Sequence, residues 1–558
     1  MTEELFALPS SFGQRRLWLV EQATQGNTAL YTMRAALRLR GRIDPDALRH
    51  ALTTVVERHE VLRTVLRLNG TDIAQVVYAP GPVDLPVREV SGGLEGAVAT
   101  ADELSREPFD LAQGPLLRCT LLKLADDDHV LLALVHHSVC DGLSLRVLLH
   151  ELTLLYAPSL AGTPHTLEEL PIQYADYAVW QAEQVTSGEL DGQLDYWGTR
   201  LAGVRDLRLP TDRRAGAHRD WTAVSAPVKV AAPVVRQLRL TTASTGVTAT
   251  MVALAAYGVV LSRWSGQQDL VVGMPVAGRG DVALEALVGF FVNTLPVRLD
   301  LSGDPTFAEL LGQVRDRCVE AYSNADVPFE LMVERAHADR RAGRLPLAQT
   351  LLNVQQPAPL GLAEIAGVEL EPVDLPDASL HFDVVADLSE KNDAIGGHVS
   401  LAADLFTEET ARLVATSLTN VLRAAAAAPS TPVSALPCPV ADAFAARDRT
   451  EVEDPPADEY EGAHPGGSAP SSDGLPRTPA EHLLTQLWRE ALEAPRVGVH
   501  DEFYALGGNS MRAVRIVMAA REHGLELPLD RMLGRHTIHD LLAEPVPETA
   551  DSGELLTG

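Results

Sequence analysis

The alternation of apolar and polar residues divides the chain into strands and helices. An unbroken apolar run, Val130–Leu134, predicts a buried strand, and residues 143–149 carry apolar side chains at helical spacing, which predicts a helix packed on it. Further strands are predicted over Tyr31–Leu39 and Leu116–Leu124, and a helix over Asp44–Glu57 with Asp44 as its cap. Strands that alternate with helices in this way predict an α/β fold.

The second half repeats this pattern and then changes character. Val247–Trp264 predicts a long apolar helix, and Asp269–Arg279 predicts a strand that enters a turn. An alanine run closes this region, and residues 429–477 are rich in Pro, Ala, Gly, Ser, Asp and Glu, which indicates a flexible linker. Amphipathic helices follow over Pro479–Leu492 and Met511–His523, so a small helical bundle is expected at the end of the chain.

Composition narrows the possible partners and the cellular compartment. The 558 residues are 46% hydrophobic, enough for several cores, and the net charge of −30 argues against nucleic acid or an anionic membrane as partner. Four scattered cysteines lack the spacing of a metal site and indicate reduced thiols, so neither disulfides nor metal are expected. No leader and no apolar run of membrane-spanning length is seen. We therefore expect a cytoplasmic protein.

Two adjacent histidines follow the predicted buried strand. His136 and His137 stand at the strand end, where layered α/β folds often build active sites, and Asp141 lies four residues beyond His137. Gly142 has no side chain, so a substrate could pass close to the backbone there. The alternative is an ordinary turn whose polar groups are satisfied internally.

A second candidate site lies between the last two predicted helices. The segment Asp501–Ser510 has the pattern D-x-F-x-x-L-G-G-x-S. Its two glycines allow a tight turn, and Ser510 is presented at a helix start, where an anionic phosphodiester would be favoured by the helix N-terminus. A serine that only caps the helix is the alternative.

Taken together, these motifs resemble those of a known family. H-H-x-x-x-D-G resembles the core motif of nonribosomal peptide synthetase condensation domains, which belong to the acyltransferase group that includes chloramphenicol acetyltransferase. Four further segments resemble the family's other motifs, namely Ser11–Trp18, Arg58–Thr64, Tyr174–Gln181 and residues 269–298. The segment that ends at Ser510 resembles the attachment site of peptidyl carrier proteins.

The resemblance implies an architecture. A two-lobed chloramphenicol-acetyltransferase-like condensation domain is expected, with lobes over residues 1–175 and 176–428. A peptidyl carrier domain built as a four-helix bundle is expected over 478–545, followed by an acidic tail over 546–558. The aromatic cluster of Tyr174–Gln181 is expected to be core, and His59 is expected to be structural.

The resemblance also implies roles for individual residues. His137, His136, Asp141 and Gly142 would form the reaction site. Arg279 and Asn293 would support that site, with Asp141 and Arg279 facing each other as an ion pair. Ser510 would carry 4′-phosphopantetheine.

The implied reaction is attack by an acceptor amine on a donor acyl thioester. An α-amino group with a pKa of about 7.7–8.0 is partly neutral at cytosolic pH, so His137 could act as a base or only hold the amine, and the sequence leaves both open. A phosphopantetheinyl transferase, a donor carrier protein in trans and an adenylation enzyme in trans are the expected partners. The donor is expected in trans because the chain starts at the first motif.

Alternatives remain for the function. We expect the Ser510 carrier to hold the acceptor, but it could hold the donor for transfer to a free amine or alcohol. An epimerisation domain shares the histidine motif but usually follows its carrier. A cyclisation domain would have an aspartate where His136 stands. The third alternative is a docking module without catalysis, against which the intact motif argues.

Overall fold

The chain folds into two compact units. The computed structural model describes residues 3–23, 29–70, 72–164, 167–214, 221–242, 245–336, 347–355, 361–375, 380–391, 394–448, 476–492, 494–503, 506, 508, 510–525, 527, 531–532 and 537–543. The first unit reaches to about residue 452, and the second contains the C-terminal helices.

The first half of the larger unit supplies one whole sheet and four of the five strands of a second. Its elements are β1 (Glu4–Pro9), α1 (Phe12–Ala23), β2 (Thr32–Arg40), α2 (Pro45–Arg58), β3 (Thr64–Asn69), β4 (Asp72–Tyr78), β5 (Val87–Glu89), α3 (Gly93–Ser105), β6 (Leu117–Ala125), β7 (Asp128–His136), α4 (Gly142–Ala161), α5 (Tyr174–Thr186) and α6 (Asp191–Arg200). A small sheet has the strand order β1-β4-β3, and α2 packs against α4.

The predicted buried strand is the central strand of the first lobe. Strand β7 lies between its antiparallel neighbours β2 and β6, and its residues from His129 to His136 are buried. Because both faces are covered, the strand has an unbroken apolar run rather than an alternating one. The cap of α2 is also as predicted, since Asp44 Oδ1 accepts hydrogen bonds from the backbone N–H groups of Asp46 and Ala47 at 2.9 and 3.1 Å.

The second half forms the other lobe. Its elements are β8 (Ala223–Val230), α7 (Ala232–Thr242), α8 (Ala249–Ser265), β9 (Asp269–Val276), β10 (Asn293–Asp300), α9 (Phe307–Tyr322), α10 (Phe329–Arg335), β11 (Thr350–Gln355), β12 (Glu369–Val373), β13 (Val384–Lys391), β14 (Ala394–Ala402), α11 (Glu408–Ala427) and α12 (Pro439–Asp448). A six-stranded sheet, ordered β10-β9-β11-β13-β14-β8, packs with α8 and α11 around one core. The α/β fold class is confirmed.

The lobes are not two consecutive stretches of sequence. Strand β12 lies in the second half of the chain but pairs antiparallel with β2 at the edge of the five-stranded sheet of the first lobe, ordered β12-β2-β7-β6-β5. The boundary that we predicted between residues 175 and 176 falls inside α5. The chain therefore crosses between lobes more often than the predicted boundary implies.

The predicted linker begins later than residue 429. Residues 429–448 form a single 3₁₀ turn and helix α12, and Val433, Leu436, Val440 and Phe444 are buried in the core of the second lobe. Burial of these apolar side chains holds the segment on the lobe, so a linker can start only after Asp448. The next residues of the predicted linker, 449–475, lie outside the described part of the chain, as does the acidic tail over 546–558.

The smaller unit is helical. It contains α13 (Pro479–Leu492), α14 (Ser510–Glu522) and α15 (Ile538–Ala543). Its core includes Trp488 and Phe503, whose rings meet edge to face at 5.1 Å. The structure gives bounds for these three helices, and the four-helix bundle remains a prediction.

The composition suggested that the chain has no membrane-spanning segment and that its cysteines are reduced. The helices in the described part of the chain are all too short or too polar to cross a lipid bilayer. The four cysteines are buried and carry free thiols.

Candidate active site

The histidine motif forms a tight turn between β7 and α4. The backbone N–H of His137 donates to the Tyr31 carbonyl at 2.8 Å, which extends the β2–β7 pairing by one residue. Residues His137–Val139 then form a 3₁₀ turn, and Asp141 caps α4 by accepting a hydrogen bond from the Ser144 N–H at 2.8 Å. The turn is thus fixed at both ends, and His137 lies between them.

The ring of His137 has a defined tautomer. Its Nδ1 lies 2.7 Å from the Cys140 carbonyl oxygen. A carbonyl can only accept, so Nδ1 carries the proton and the neutral ring has an unprotonated Nε2. Burial lowers the pKa of His137 below its ordinary value, against the opposing effects of the Cys140 carbonyl and the Asp141 charge. The ring is partly exposed and therefore offers a neutral base to a substrate.

His136, unlike the partly exposed His137, is buried and only 2% exposed. Its Nδ1 accepts a hydrogen bond from the Ser138 N–H at 3.1 Å and lies 2.7 Å from the Ser138 hydroxyl. Its ring meets Tyr31 and Phe109 edge to face. The sequence analysis expected both histidines to form the reaction site. Because His136 is buried and its Nδ1 accepts from the Ser138 N–H, it supports the turn instead of facing a substrate.

Asp141 connects the turn to the second lobe. It is fully buried, and its Oδ2 accepts from the Phe291 N–H at 3.1 Å. Arg279 Nη2 lies 3.3 Å from Asp141 Oδ1, so the predicted ion pair is present, and it also donates to Ser144 Oγ at 2.6 Å. The Arg279 guanidinium stacks on the Phe291 ring at 4.1 Å. The geometry thus gives both carboxylate oxygens of Asp141 partners within the protein.

Gly142 borders open space. A Cβ built on it would meet no heavy atom within 4 Å, although the residue begins α4 directly after the buried Asp141. Packing against the described residues therefore gives no reason for a glycine here. This fits the expectation that substrate passes close to the backbone at this position.

Asn293, the first residue of β10, forms hydrogen bonds with the loop that precedes α10. Its Nδ2 donates to the carbonyls of Ala325 and Val327 at 3.0 and 2.7 Å, and its Oδ1 accepts from the Phe329 N–H at 3.0 Å. These bonds hold the loop before α10 against the strand that follows Phe291. Asn293 therefore fixes this loop, and the expectation that it supports the site stays a prediction.

Several site residues were not singled out by the sequence. Phe290 packs edge to face on the His137 ring at 4.8 Å. Tyr174 Oη donates to the Phe290 carbonyl at 2.8 Å, and Ser144 Oγ donates to the Gly289 carbonyl at 2.7 Å. Gln14 Nε2 donates to the Ser138 carbonyl at 3.2 Å. Gln14, Tyr174 and Phe290 do lie in segments that resemble family motifs, and this was the only signal available for them.

The buried aromatic and charged residues of the other motifs are structural. Tyr174 and Tyr177 are buried, as expected for the aromatic cluster. His59 is 1% exposed, its Nε2 lies 2.8 Å from Glu151, and its Nδ1 accepts from the Val288 N–H at 3.4 Å. Burial acts to raise the pKa of Glu151, but the hydrogen bond from His59 and the charge of Arg58 lower it overall. The expectation that His59 is structural agrees with this geometry.

The second candidate site lies at the start of α14. This helix begins at Ser510, and a Cβ on Gly508 would lie 2.5 Å from the Phe503 ring and 2.6 Å from the Phe503 carbonyl oxygen. The turn before Ser510 thus requires glycine. Gly507 and Asn509 lie outside the described residues. A serine backbone at a helix start after such a turn fits a covalently attached phosphodiester, because that end of a helix favours negative charge.

Comparison with known families identifies both parts. Residues 7–442 match the model of the condensation domain, and residues 482–544 match that of the phosphopantetheine attachment site. The chain therefore belongs to the condensation-domain family, and a phosphopantetheine attachment domain follows its condensation domain in the sequence.

Relatives of known name are much longer synthetases. The chain is 40% identical over 454 residues to the isonitrile lipopeptide synthase of Mycobacterium tuberculosis (strain ATCC 25618 / H37Rv), a match that covers 77% of this chain and 18% of that protein. It is 38% identical over 432 residues to the malpibaldin synthetase of Mortierella alpina, covering 76% and 8%. The chain thus spans less than a fifth of the length of these relatives.

Solved structures agree with the family. The X-domain from teicoplanin biosynthesis is 30% identical, with a TM-score of 0.73, over 78% of this chain and 99% of that one. The condensation domain of the monacolin K polyketide synthase MokA is 26% identical, with a TM-score of 0.68, over 77% and 100%. The two-lobed condensation fold is therefore confirmed for the larger unit.

Proposed function

We propose that this chain forms an amide bond between a carrier-bound acyl thioester and an acceptor amine. The observation that carries the proposal is the hydrogen bond from His137 Nδ1 to the Cys140 carbonyl, which leaves Nε2 as a neutral base in a partly exposed ring. The amine nitrogen attacks the thioester carbonyl carbon, the C–N bond forms and the C–S bond breaks. His137 Nε2 takes the proton that the amine loses and passes it to the departing thiolate, which leaves as a thiol, so the ring ends neutral.

The other site residues hold His137 in place. Asp141 and Arg279 tie the start of α4 to the loop of the second lobe, and Phe290 restricts the His137 ring. Proton transfer to a positioned base is worth about 10²–10⁴ in rate, and orientation of the two reactants can contribute as much. Gly142 leaves the space that the substrate needs.

The carrier supplies one of the two reactants. We propose that Ser510 is the attachment residue and that a phosphopantetheinyl transferase modifies it, which the match of residues 482–544 supports. The attached 4′-phosphopantetheine supplies a thiol on which an acyl or aminoacyl group is carried as a thioester. A donor carrier protein and an adenylation enzyme, both acting in trans, complete the proposed system in the cytoplasm.

A docking role without catalysis is the second candidate. The similar teicoplanin X-domain has been solved in a complex with OxyB, so a condensation-like fold can bind a protein partner. The open Gly142 and the neutral Nε2 of His137 favour catalysis here, because a docking surface needs neither.

A His137→Ala variant separates the two candidates. The full chain, with acyl donor carrier and an aminoacylated Ser510 carrier, should form amide in the wild type, and the variant should lose about 10²–10⁴ of the rate. A His137→Ala protein that melts like the wild type and turns over at a similar rate would exclude His137 as the base. If the wild-type protein forms no amide yet binds a partner, the docking role is correct.

A further inference from the structure

A buried carboxylate lies behind the histidine turn. Glu21 of α1 and His136 are 4% and 2% exposed, and Glu21 Oε1 lies 3.5 Å from His136 Nε2. The reaction proposed above does not use Glu21. Buried carboxylates need polar or charged groups around them, and the His136 ring is one such group beside Glu21.

The turn itself determines which nitrogen of His136 is protonated. The Ser138 backbone N–H donates to Nδ1 at 3.1 Å. A nitrogen that accepts has no proton, so the neutral ring carries its proton on Nε2, the nitrogen that faces Glu21. The carboxylate therefore stabilises the same tautomer that the turn needs.

The surroundings leave His136 few alternatives. The ring centroids of Tyr31 and Phe109 lie 6.3 and 5.9 Å from that of His136, both at 71°. In the described part of the chain, Nε2 makes no hydrogen bond, and the carboxylate of Glu21 at 3.5 Å is its electrostatic partner. In such apolar surroundings the attraction between N–H and carboxylate is strong.

We propose that Glu21 is a positioning residue for the condensation reaction, an inference that rests on the proposed function. Its carboxylate holds His136 as the Nε2–H tautomer, which keeps Nδ1 an acceptor for Ser138 and so fixes the turn that presents His137. Without it, a proton on Nδ1 would oppose the Ser138 N–H and loosen the turn. Gln14, also on α1, holds the other side of the turn through the Ser138 carbonyl.

Two substitutions of Glu21 test the proposal by kinetics. Glu21→Leu removes the acceptor at similar size, and its kcat should fall about 10–100-fold with little change in KM for the donor, because His137 is misplaced while the binding surfaces remain. Glu21→Gln keeps an oxygen acceptor and should stay within about threefold of wild type. The control is Asp128→Asn at the far end of β7, which loses its ion pair with Arg38 and should keep full activity. Equal kcat values for wild type and Glu21→Leu, or equally poor Leu and Gln variants, would overturn the proposal.

A double substitution tests whether Glu21 acts through His136. His136→Asn retains an acceptor near the Nδ1 position and removes the group that faces Glu21. Adding Glu21→Leu to it should cost no further rate, whereas independent roles would multiply the two losses and contradict the proposal.

Spectroscopy gives a readout that does not require activity. The full chain is labelled with ¹⁵N-histidine, and the signals of His136 are identified as those missing from the His136→Asn variant. Two-bond ¹H–¹⁵N spectra of the wild type should then show the Nε2–H tautomer of His136. In Glu21→Leu, the Nδ1–H form or a mixture should appear. A wild-type ring protonated on Nδ1 would overturn the inference about Glu21 even if amide formation proceeds. An inactive wild type with the expected tautomer would instead count against the proposed function alone.

Discussion

At the scale of single residues, the site separates groups that face substrate from groups that face protein. His137 has one ring nitrogen bound to the Cys140 carbonyl and a second that is left as a base. Asp141 and His136 belong to the same motif but are buried and held by contacts within the protein. Sequence spacing alone treats all these positions alike, whereas burial and hydrogen-bond direction distinguish them.

Gly142→Ala tests whether substrate passes over the start of α4. The added methyl group meets no described protein atom, so the melting temperature should be unchanged or slightly raised, since alanine favours a helix. Amide formation should nevertheless fall about 10–100-fold, because the reacting atoms can no longer approach correctly. Gly192→Ala, which also points into open space at the start of α6, is the matched control and should leave activity unaltered. Full activity in Gly142→Ala would show that the open space is not used.

The pH dependence separates a base from a positioning role for His137. Below the pKa of the acceptor amine, about 7.7–8.0, log(kcat/KM) should rise with pH with a slope of about one, since only the neutral amine attacks. Burial lowers the pKa of His137 below its ordinary value, so the ring becomes protonated only at a more acidic pH than a free histidine, and there the slope should steepen to about two. The rate profile of the wild type, compared with that of His137→Ala, measures this directly. A slope that does not steepen would mean that His137 only positions the amine.

At the scale of secondary-structure elements, the site is assembled from segments far apart in sequence. The turn after β7 contacts α1 through Gln14, α5 lies against the loop of residues 287–292 through Tyr174, and the Asp141–Arg279 pair joins the two lobes. Each contact spans more than a hundred residues. An amphipathic or apolar pattern predicts that such an element exists, but it does not specify its distant partner.

Asp141 variants test the junction between α4 and the second-lobe loop. Asp141→Ala should lose about 3–5 kcal/mol of unfolding free energy, because the buried Arg279 charge is left without its partner. Adding Arg279→Met should recover part of this loss, since the stranded charge is then removed as well. Thermal and urea unfolding measure both effects. If the double variant is less stable than Asp141→Ala by the full cost of losing Arg279, the two residues are independent.

How much the sequence could predict depends on the element. The buried strand β7, the Asp44 cap and the helix after the histidine turn follow from local pattern and were confirmed. The crossing of β12 into the first sheet could not be predicted, because a short edge strand has no distinctive pattern. Residues 429–448 were predicted as linker because they are rich in Pro and Ala. Their apolar residues Val433, Leu436 and Val440 pack on residues that are distant in sequence, and local composition does not indicate such a contact.

At the scale of the whole molecule, the chain joins a reaction site to a carrier. Residues 449–478 separate the end of α12 from the start of α13, so this segment can span at most about 100 Å when fully extended. A reach of that order is consistent with the proposal that the carrier serves the site of the same polypeptide.

Ser510→Ala tests the attachment residue. After incubation with a phosphopantetheinyl transferase and coenzyme A, the intact wild-type chain should gain one phosphopantetheine in mass, and the variant should gain none. Ser510 begins α14, and its hydroxyl is the group to which phosphopantetheine would be attached. Alanine has no hydroxyl, so the variant cannot accept the group. Ser468→Ala, in the segment that precedes α13, is the control and should be modified normally. Modification of Ser510→Ala would place the attachment elsewhere.

The direction of acyl transfer depends on which reactant the Ser510 carrier holds. If the Ser510 carrier holds the acceptor, an amine charged on it attacks an acyl group brought by another carrier, and the lengthened chain stays on Ser510. The experiment charges Ser510 with an aminoacyl phosphopantetheine, adds a separate acylated carrier and follows both proteins by intact mass spectrometry. The acyl mass should move onto this chain, and the His137→Ala variant charged in the same way should show about 10²–10⁴ less transfer. Release of a soluble amide, or growth of the product on the added carrier, would show that Ser510 instead holds the donor.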